Sequence, residues 1–143
     1  MRFIRMAAPV VLAGVVTFSV ATPAVAIEPA LTSLGTVSNG AYSVTHACAA
    51  VVGAATSLNQ VTYVIDATAS AHTTKAAVGI GTTVDCKVVN KANPSIVYGG
   101  AHGGEPGPDA VAAGTDKVPS NVTAKVIVCA TAGFSDGGSA SDC

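Results

Sequence analysis

The sequence predicts an all-β protein: an antiparallel, immunoglobulin-like β-sandwich of about six to eight strands with two disulfides, preceded by a signal peptide. Three observations lead there. Alanine, valine and threonine dominate a chain with no Trp, and Val and Thr are β-branched residues that favour strands. Short runs of alternating apolar and polar residues are separated by Gly-, Pro- and Asn-containing turns along the whole chain after Leu31. Four cysteines, Cys48, Cys86, Cys129 and Cys143, follow an export signal, in a setting where thiols oxidise.

The export signal occupies residues 1–26. Arg2 and Arg5 precede an apolar run from Met6 to Val20, and Ala24-Val25-Ala26 places small residues at a cleavage site. Cleavage there leaves a single β-sandwich domain, 27–143. It keeps five lysines against eight acids, a formal charge of −3, and no arginine. Nucleic acid is excluded as a partner because no Lys/Arg cluster is present to displace phosphate counterions. An anionic membrane surface is excluded for the same reason, and no later apolar stretch is long enough to span a bilayer. The expected location is secreted, extracellular.

Asn39-Gly40, between Thr36-Val37-Ser38 and Ala41-Tyr42-Ser43-Val44, is a hairpin signal and predicts a type I′ turn. Tyr42, Val44, His46 and Cys48 then share one face at period two. Ala47–Thr56 is rich in alanine, yet Val51-Val52-Gly53 favours strand continuation over helix. Val61, Tyr63, Ile65 and Ala67 form the apolar side of the next strand. Gly79 and Gly81 suggest a bulge or bend, after which Val84, Cys86 and Val88 turn inward while Asp85 and Lys87 face water. Ser95–Tyr98 is a short apolar piece. Gly99–Pro108 carries five glycines and no periodicity, which reads as a loop. Asp109–Ala113 fits a further strand. Asn121–Phe134 is the last long one, its run Val126-Ile127-Val128-Cys129 pointing to burial on both faces. The tail 135–142 is Gly, Ser and Asp, tied down by Cys143.

Four cysteines allow three pairings. Cys48–Cys86 with Cys129–Cys143 is preferred, because Cys48 and Cys86 both face inward and Cys143 lies a short reach from Cys129. The 38-residue and 14-residue loops would contribute about 4 and about 3 kcal/mol on the chain-entropy model. Cys86–Cys129 with Cys48–Cys143 is the rival, since an inter-sheet bridge of that kind occurs in antibody domains. In either pairing the thiols are structural, with no C-x-x-C spacing to hold a metal.

No catalytic, metal or cofactor site is expected. Gly133-Phe134-Ser135-Asp136-Gly137 matches G-x-S-x-G, but that chemistry needs a strand-to-helix turn and a later histidine base. His46, His72 and His102 all lie upstream and no helix can start in the tail, so a plain turn is expected. The histidine spacing, with Glu105 or Asp109 nearby, does not resemble a zinc site. Glu105, Asp109 and Asp116 could offer oxygens to calcium but do not alternate as a calcium loop requires. Gly79-Ile80-Gly81 begins a G-x-G-x-x-G pattern that Val84 breaks. Asn121-Val122-Thr123 is a sequon best read as a strand start. The glycine-rich segment 98–114 is where a function is most readily placed.

Thr82-Thr83-Val84-Asp85-Cys86, Val97-Tyr98-Gly99-Gly100, Pro106–Ala112, Val128-Cys129 and Phe134-Ser135-Asp136-Gly137, in that order, resemble a group of uncharacterised small secreted actinobacterial proteins. The resemblance runs from Cys48 to Cys143 and implies a β-rich exported fold with paired cysteines and no catalytic residues. The chain is also similar to the apoproteins of enediyne chromoproteins, small acidic secreted β-sandwiches with two disulfides. Their cysteine pairs close short loops, whereas Cys48 and Cys86 lie far apart. Secreted subtilisin inhibitors share the size and the four cysteines but not the flanking sequences.

The expected function is a non-enzymatic, extracellular or cell-surface binding module, its partner an extracellular protein, a cell-wall component or a small apolar ligand. The alternative is a carrier of an apolar small molecule in a cleft between sheets. A hydrolase built on Ser135 ranks third. Tyr42, Tyr63, Tyr98 and Phe134 are the aromatic residues to watch at an interface.

Overall fold

A computed structural model of the chain describes residues 27–54 and 56–143. The signal peptide expected at 1–26 lies outside the described residues. Among the described residues eight strands follow one another: β1 (Ala30–Asn39), β2 (Tyr42–Val52), β3 (Gln60–Thr73), β4 (Ile80–Asn90), β5 (Val97–Pro106), β6 (Asp109–Pro119), β7 (Ala124–Phe134) and β8 (Ser139–Asp142). No helix is present among the described residues. The strands form two antiparallel four-stranded sheets, ordered β1-β2-β3-β6 and β5-β4-β7-β8.

The neighbours match an immunoglobulin-type sandwich. β3 beside β6 and β4 between β5 and β7 take the places of strands B–E and C′–C–F, with β8 as G and β2 as A. β1 is an added strand that pairs with β2 through a tight hairpin. That turn differs from expectation. Gly40 and Ala41 are its central pair, and only Gly40 has positive φ (63°), the pattern of a type II′ rather than a type I′ turn.

The core is small-residued and tight. Val44, Ile65, Val84 and Val88 are fully buried, and alanines at 67, 69, 71, 110, 112, 130 and 132 fill the remaining inward positions of β3, β6 and β7. The period-two reading therefore holds for β2, β3 and β4. Cys48 on β2 bridges to Cys86 on β4, joining the two sheets, and Cys129 on β7 bridges to Cys143. The preferred pairing is the observed one. It differs from the antibody arrangement, which would join β3 to β7.

Several expectations are corrected. Gly99–Pro108 is not a loop; residues up to Pro106 form β5. Its glycines serve space rather than flexibility, because among them only Gly107, in the turn to β6, has positive φ. A Cβ at Gly103 would sit 1.9 Å from the Val111 carbonyl oxygen, and one at Gly100 would sit 2.3 Å from the Cys86 carbonyl oxygen. β5 thus presses its main chain onto β6 and β4, where any side chain would hold it off.

The expected bulge at Gly79–Gly81 is also absent; the irregularity in β4 falls between Val88 and Val89. β7 begins at Ala124, and Asn121 lies in the preceding turn. β7 is not buried on both faces either: Ile127 is exposed and Cys129 is half-buried on the outer side. Finally, the tail folds. Residues 139–142 form β8, paired with Ala130–Gly133 of β7.

Candidate functional site

The outer face of the β1-β2-β3-β6 sheet carries an open concavity, and its shape follows from the order of side-chain sizes across the strands. Leu34 pairs with Ala47, Ala47 with Thr68, and Thr68 with Val111. Large apolar residues therefore stand on the two edge strands, about 14 Å apart at ordinary strand spacing, and small ones lie between. The result is an open trough of about 550 Å³. Leu34 is 79% exposed and Val111 64%.

The next row across the same face is polar: Thr36, Thr45, Ser70 and Asp109. Thr36 and Thr45 share a hydroxyl–hydroxyl bond of 3.0 Å, and Ser70 Oγ donates to Asp109 Oδ1 at 2.8 Å. Further along the face, Val51 and Val64 stand side by side and are also exposed. Exposed aliphatic residues set among hydroxyls, with scattered carboxylates, make a surface that can bury apolar groups while bonding to polar ones at its rim.

A second polar cluster closes one end of the sandwich. Lys75 Nζ donates to Tyr42 Oη at 2.6 Å and lies 3.0 Å from Asp136 Oδ2, while the Tyr42 hydroxyl donates to the same carboxylate. The Tyr42 and Phe134 rings pack with centroids 4.6 Å apart. The cluster pins the β7–β8 turn to β2 and to the segment leaving β3. The hydrogen bond from Tyr42, reinforced by those from Lys75 and the Gly138 amide, lowers the Asp136 pKa to about 2. A carboxylate held below its ordinary value stabilises the fold above that value and ceases to do so as pH falls through about 2. Tyr42→Phe should raise the Asp136 pKa toward the usual carboxylate range. A carbon-detected NMR titration of its carboxyl checks this, and an unmoved midpoint would count against the bond.

Further polar groups are buried or partly buried. His46, facing inward from β2, bonds through Nε2 to Asp142 Oδ2 of β8 at 2.7 Å, and its Nδ1 is buried without a partner among the described residues. Gly35 lies flat against the ring, since a Cβ there would come within 2.6 Å of it. Asp116 sits against Gly99, and burial raises its carboxyl pKa. Burial also raises the Tyr63 phenol, with the Glu28 carboxylate adding to it.

The residues singled out in the sequence do not assemble. His46 is inside, His72 is exposed near the end of β3, and His102 is exposed on β5, opposite Asp85. Asp109 and Asp116 lie an odd number of residues apart on β6, hence on opposite faces, and Glu105 is on a different strand. Among the described residues no group of three or more His, Cys, Asp or Glu side chains is placed to hold a metal ion. Ser135 occupies the β7–β8 turn, where its Oγ accepts from the Gly79 amide at 2.8 Å. Tyr63 and Phe134 are buried, and Tyr42 and Tyr98 are half-buried. The segment 98–114 supplies Asp109 and Val111 to the trough.

The trough has no local motif in the sequence. The alternation Thr32-Leu34-Thr36 was available as its signal, but Leu34 reads as a core residue unless the facing of β1 is known. Compared with known proteins, the chain matches no family model, no curated protein and no solved structure.

Proposed function

We propose that this protein is a small, non-enzymatic, extracellular binding module that engages its partner through the outer face of the β1-β2-β3-β6 sheet. The observation that carries the reading is the trough between Leu34 and Val111, with its hydroxyl- and carboxylate-bearing flank. Two disulfides fit a protein matured in an oxidising compartment. Among the described residues no helix is long and apolar enough to cross a membrane. The partner that fits is an extracellular protein or cell-wall component presenting an extended, mostly apolar segment with hydrogen-bond donors for Asp109 and the threonines.

The carrier reading finds less support between the sheets, where Val44, Ile65, Val84 and Val88 fill the interior. A space beneath Leu31, Val61 and Ala124 measures about 10 Å³, at the lower limit for a single water. An apolar small molecule would have to lie in the outer trough instead.

The test is comparative capture from culture supernatant and cell-wall fractions, using the intact protein and a Leu34→Asp/Val111→Asp variant. Both positions are exposed, so folding should be retained. A component held by the first and lost by the second, by about tenfold or more for two apolar anchors, supports the reading. Equal retention by both refutes this face as the site.

A further inference from the structure

The two disulfides occupy opposite environments. Cys48 and Cys86 are 2% and 0% exposed, sealed between the sheets. Cys129 and Cys143 lie on the outer face of the second sheet, Cys129 half-buried and Cys143 exposed. Ala130 pairs with Asp142, so Cys129 and Cys143 are the next opposed positions, and their Cα atoms are 4.5 Å apart. This cross-strand bridge lines a depression of about 350 Å³ together with Asp85, Lys87, Ile127 and Val128. Lys87 Nζ lies 3.4 Å from Asp85 Oδ2, so the pair leaves little net charge to repel an incoming molecule, and exposed Ile127 offers it an apolar wall.

This bridge is one of the few ties on β8. The strand has four residues and is an edge, a length at which main-chain pairing alone holds weakly. Apart from the disulfide, it is retained by buried Ala140, by the Asn39 Nδ2 bond to the Ser139 carbonyl, and by Asp142 on His46.

We propose that Cys129–Cys143 is a redox latch worked by small extracellular dithiols, and that opening it frees β8 and separates Asp142 from His46. A thiolate of the dithiol entering the depression attacks Cys143 Sγ, the more open sulfur. The Cys129–Cys143 bond breaks, a mixed disulfide forms on Cys143, and Cys129 leaves as a thiolate that takes a proton from solvent. The second sulfur of the dithiol, having given its proton to solvent, then attacks the first sulfur of the dithiol in the mixed disulfide, and Cys143 leaves as a thiolate that takes a proton from solvent. Two electrons pass from the dithiol, which ends as its own disulfide, to the protein, which ends with two thiols. Cys48–Cys86, out of reach, continues to hold the two sheets together. The release leaves His46 facing the gap that Ala140 and Asp142 vacate, so the readout of thiol attack on one sheet face appears at a ring buried between the sheets.

Brief exposure of the folded chain to dithiothreitol, alkylation with iodoacetamide and peptide mass spectrometry test the first half. Modification of Cys129 and Cys143 should precede that of Cys48 and Cys86 by about tenfold or more in rate. Hydrogen exchange and NMR on the same alkylated sample test the second half: amide protection should vanish at Ala140–Asp142 and the His46 ring resonances should shift. In an Asp142→Asn variant those resonances should already be displaced and should move little further on reduction. Equal reduction rates for the two pairs overturn the proposal, as does selective alkylation that leaves β8 protection and His46 unchanged.

Discussion

Replacing Cys48 and Cys86 together by alanine should lower the melting temperature by about 15 °C. The 38-residue loop they close contributes about 4 kcal/mol on the chain-entropy model, and a domain of this size loses about 4 °C for each kcal/mol. The bridge also occupies core volume between β2 and β4, so its removal leaves two small voids that add to the entropic cost. Removing Cys129 and Cys143 instead opens a 14-residue loop, for which about 3 kcal/mol is expected, and it leaves the inter-sheet core intact. Calorimetry of the two double variants should therefore rank Cys48–Cys86 as the more damaging loss. The opposite order would mean that the sheets are held together by packing alone.

Gly103→Ala is the second large effect. Gly103 belongs to a strand whose main chain rests on its neighbour, and a methyl group there would point at the Val111 carbonyl oxygen from 1.9 Å. Backbone cannot yield as a side chain can, so β5 would have to move away from β6. Overpacking of this kind costs about 1–3 kcal/mol, and Gly103→Ala should lie at the upper end. Two controls isolate the cause. A Cβ at Gly104 would meet Thr83 Cγ2 at 3.2 Å, a side chain that can give way, and one at Gly133 would meet nothing within 4 Å. Chemical denaturation should show Gly104→Ala to be mild and Gly133→Ala neutral or stabilising, since glycine in a strand carries an entropic cost of its own. Three equal losses would instead indicate that flexibility, not space, is what Gly103 provides.

Those glycines also explain where the sequence misleads. The strands that face one side to the core declare themselves through period two, as Val61, Tyr63, Ile65 and Ala67 do on β3, because burial of one face is written directly into alternation. The disulfide pairing was legible for the same reason: Cys48 and Cys86 fall on inward positions of β2 and β4. β5 left no such mark. A strand that needs close approach on both its neighbours selects glycine at 99, 100 and 103, and the composition then mimics a loop. β8 was hidden differently. Ser139, Ala140, Ser141 and Asp142 carry almost no strand propensity, and they pair because β7 offers them a ladder and Cys143 holds them to it.

The candidate site was less legible than the fold. A trough on a sheet face depends on which residues become neighbours across four strands. Leu34 and Val111 are far apart in sequence and come together only through the order β1-β2-β3-β6. The Tyr42–Lys75–Asp136 cluster and the His46–Asp142 pair likewise draw on distant segments. None has a local motif, whereas the local motifs that were present, around Ser135 and around Gly79, proved to be a turn and an uninterrupted strand start.

The two flanks of the sandwich bear on how copies of the protein can meet. β5 lies against β6 along one flank, and on the other Asn39 and His46 hold β8 beside the second half of β1. A bare sheet margin invites strands from other molecules to extend it, and here the margins are largely occupied by each other. The occupied margins leave little bare main chain for the continuous ladders from which fibrils grow.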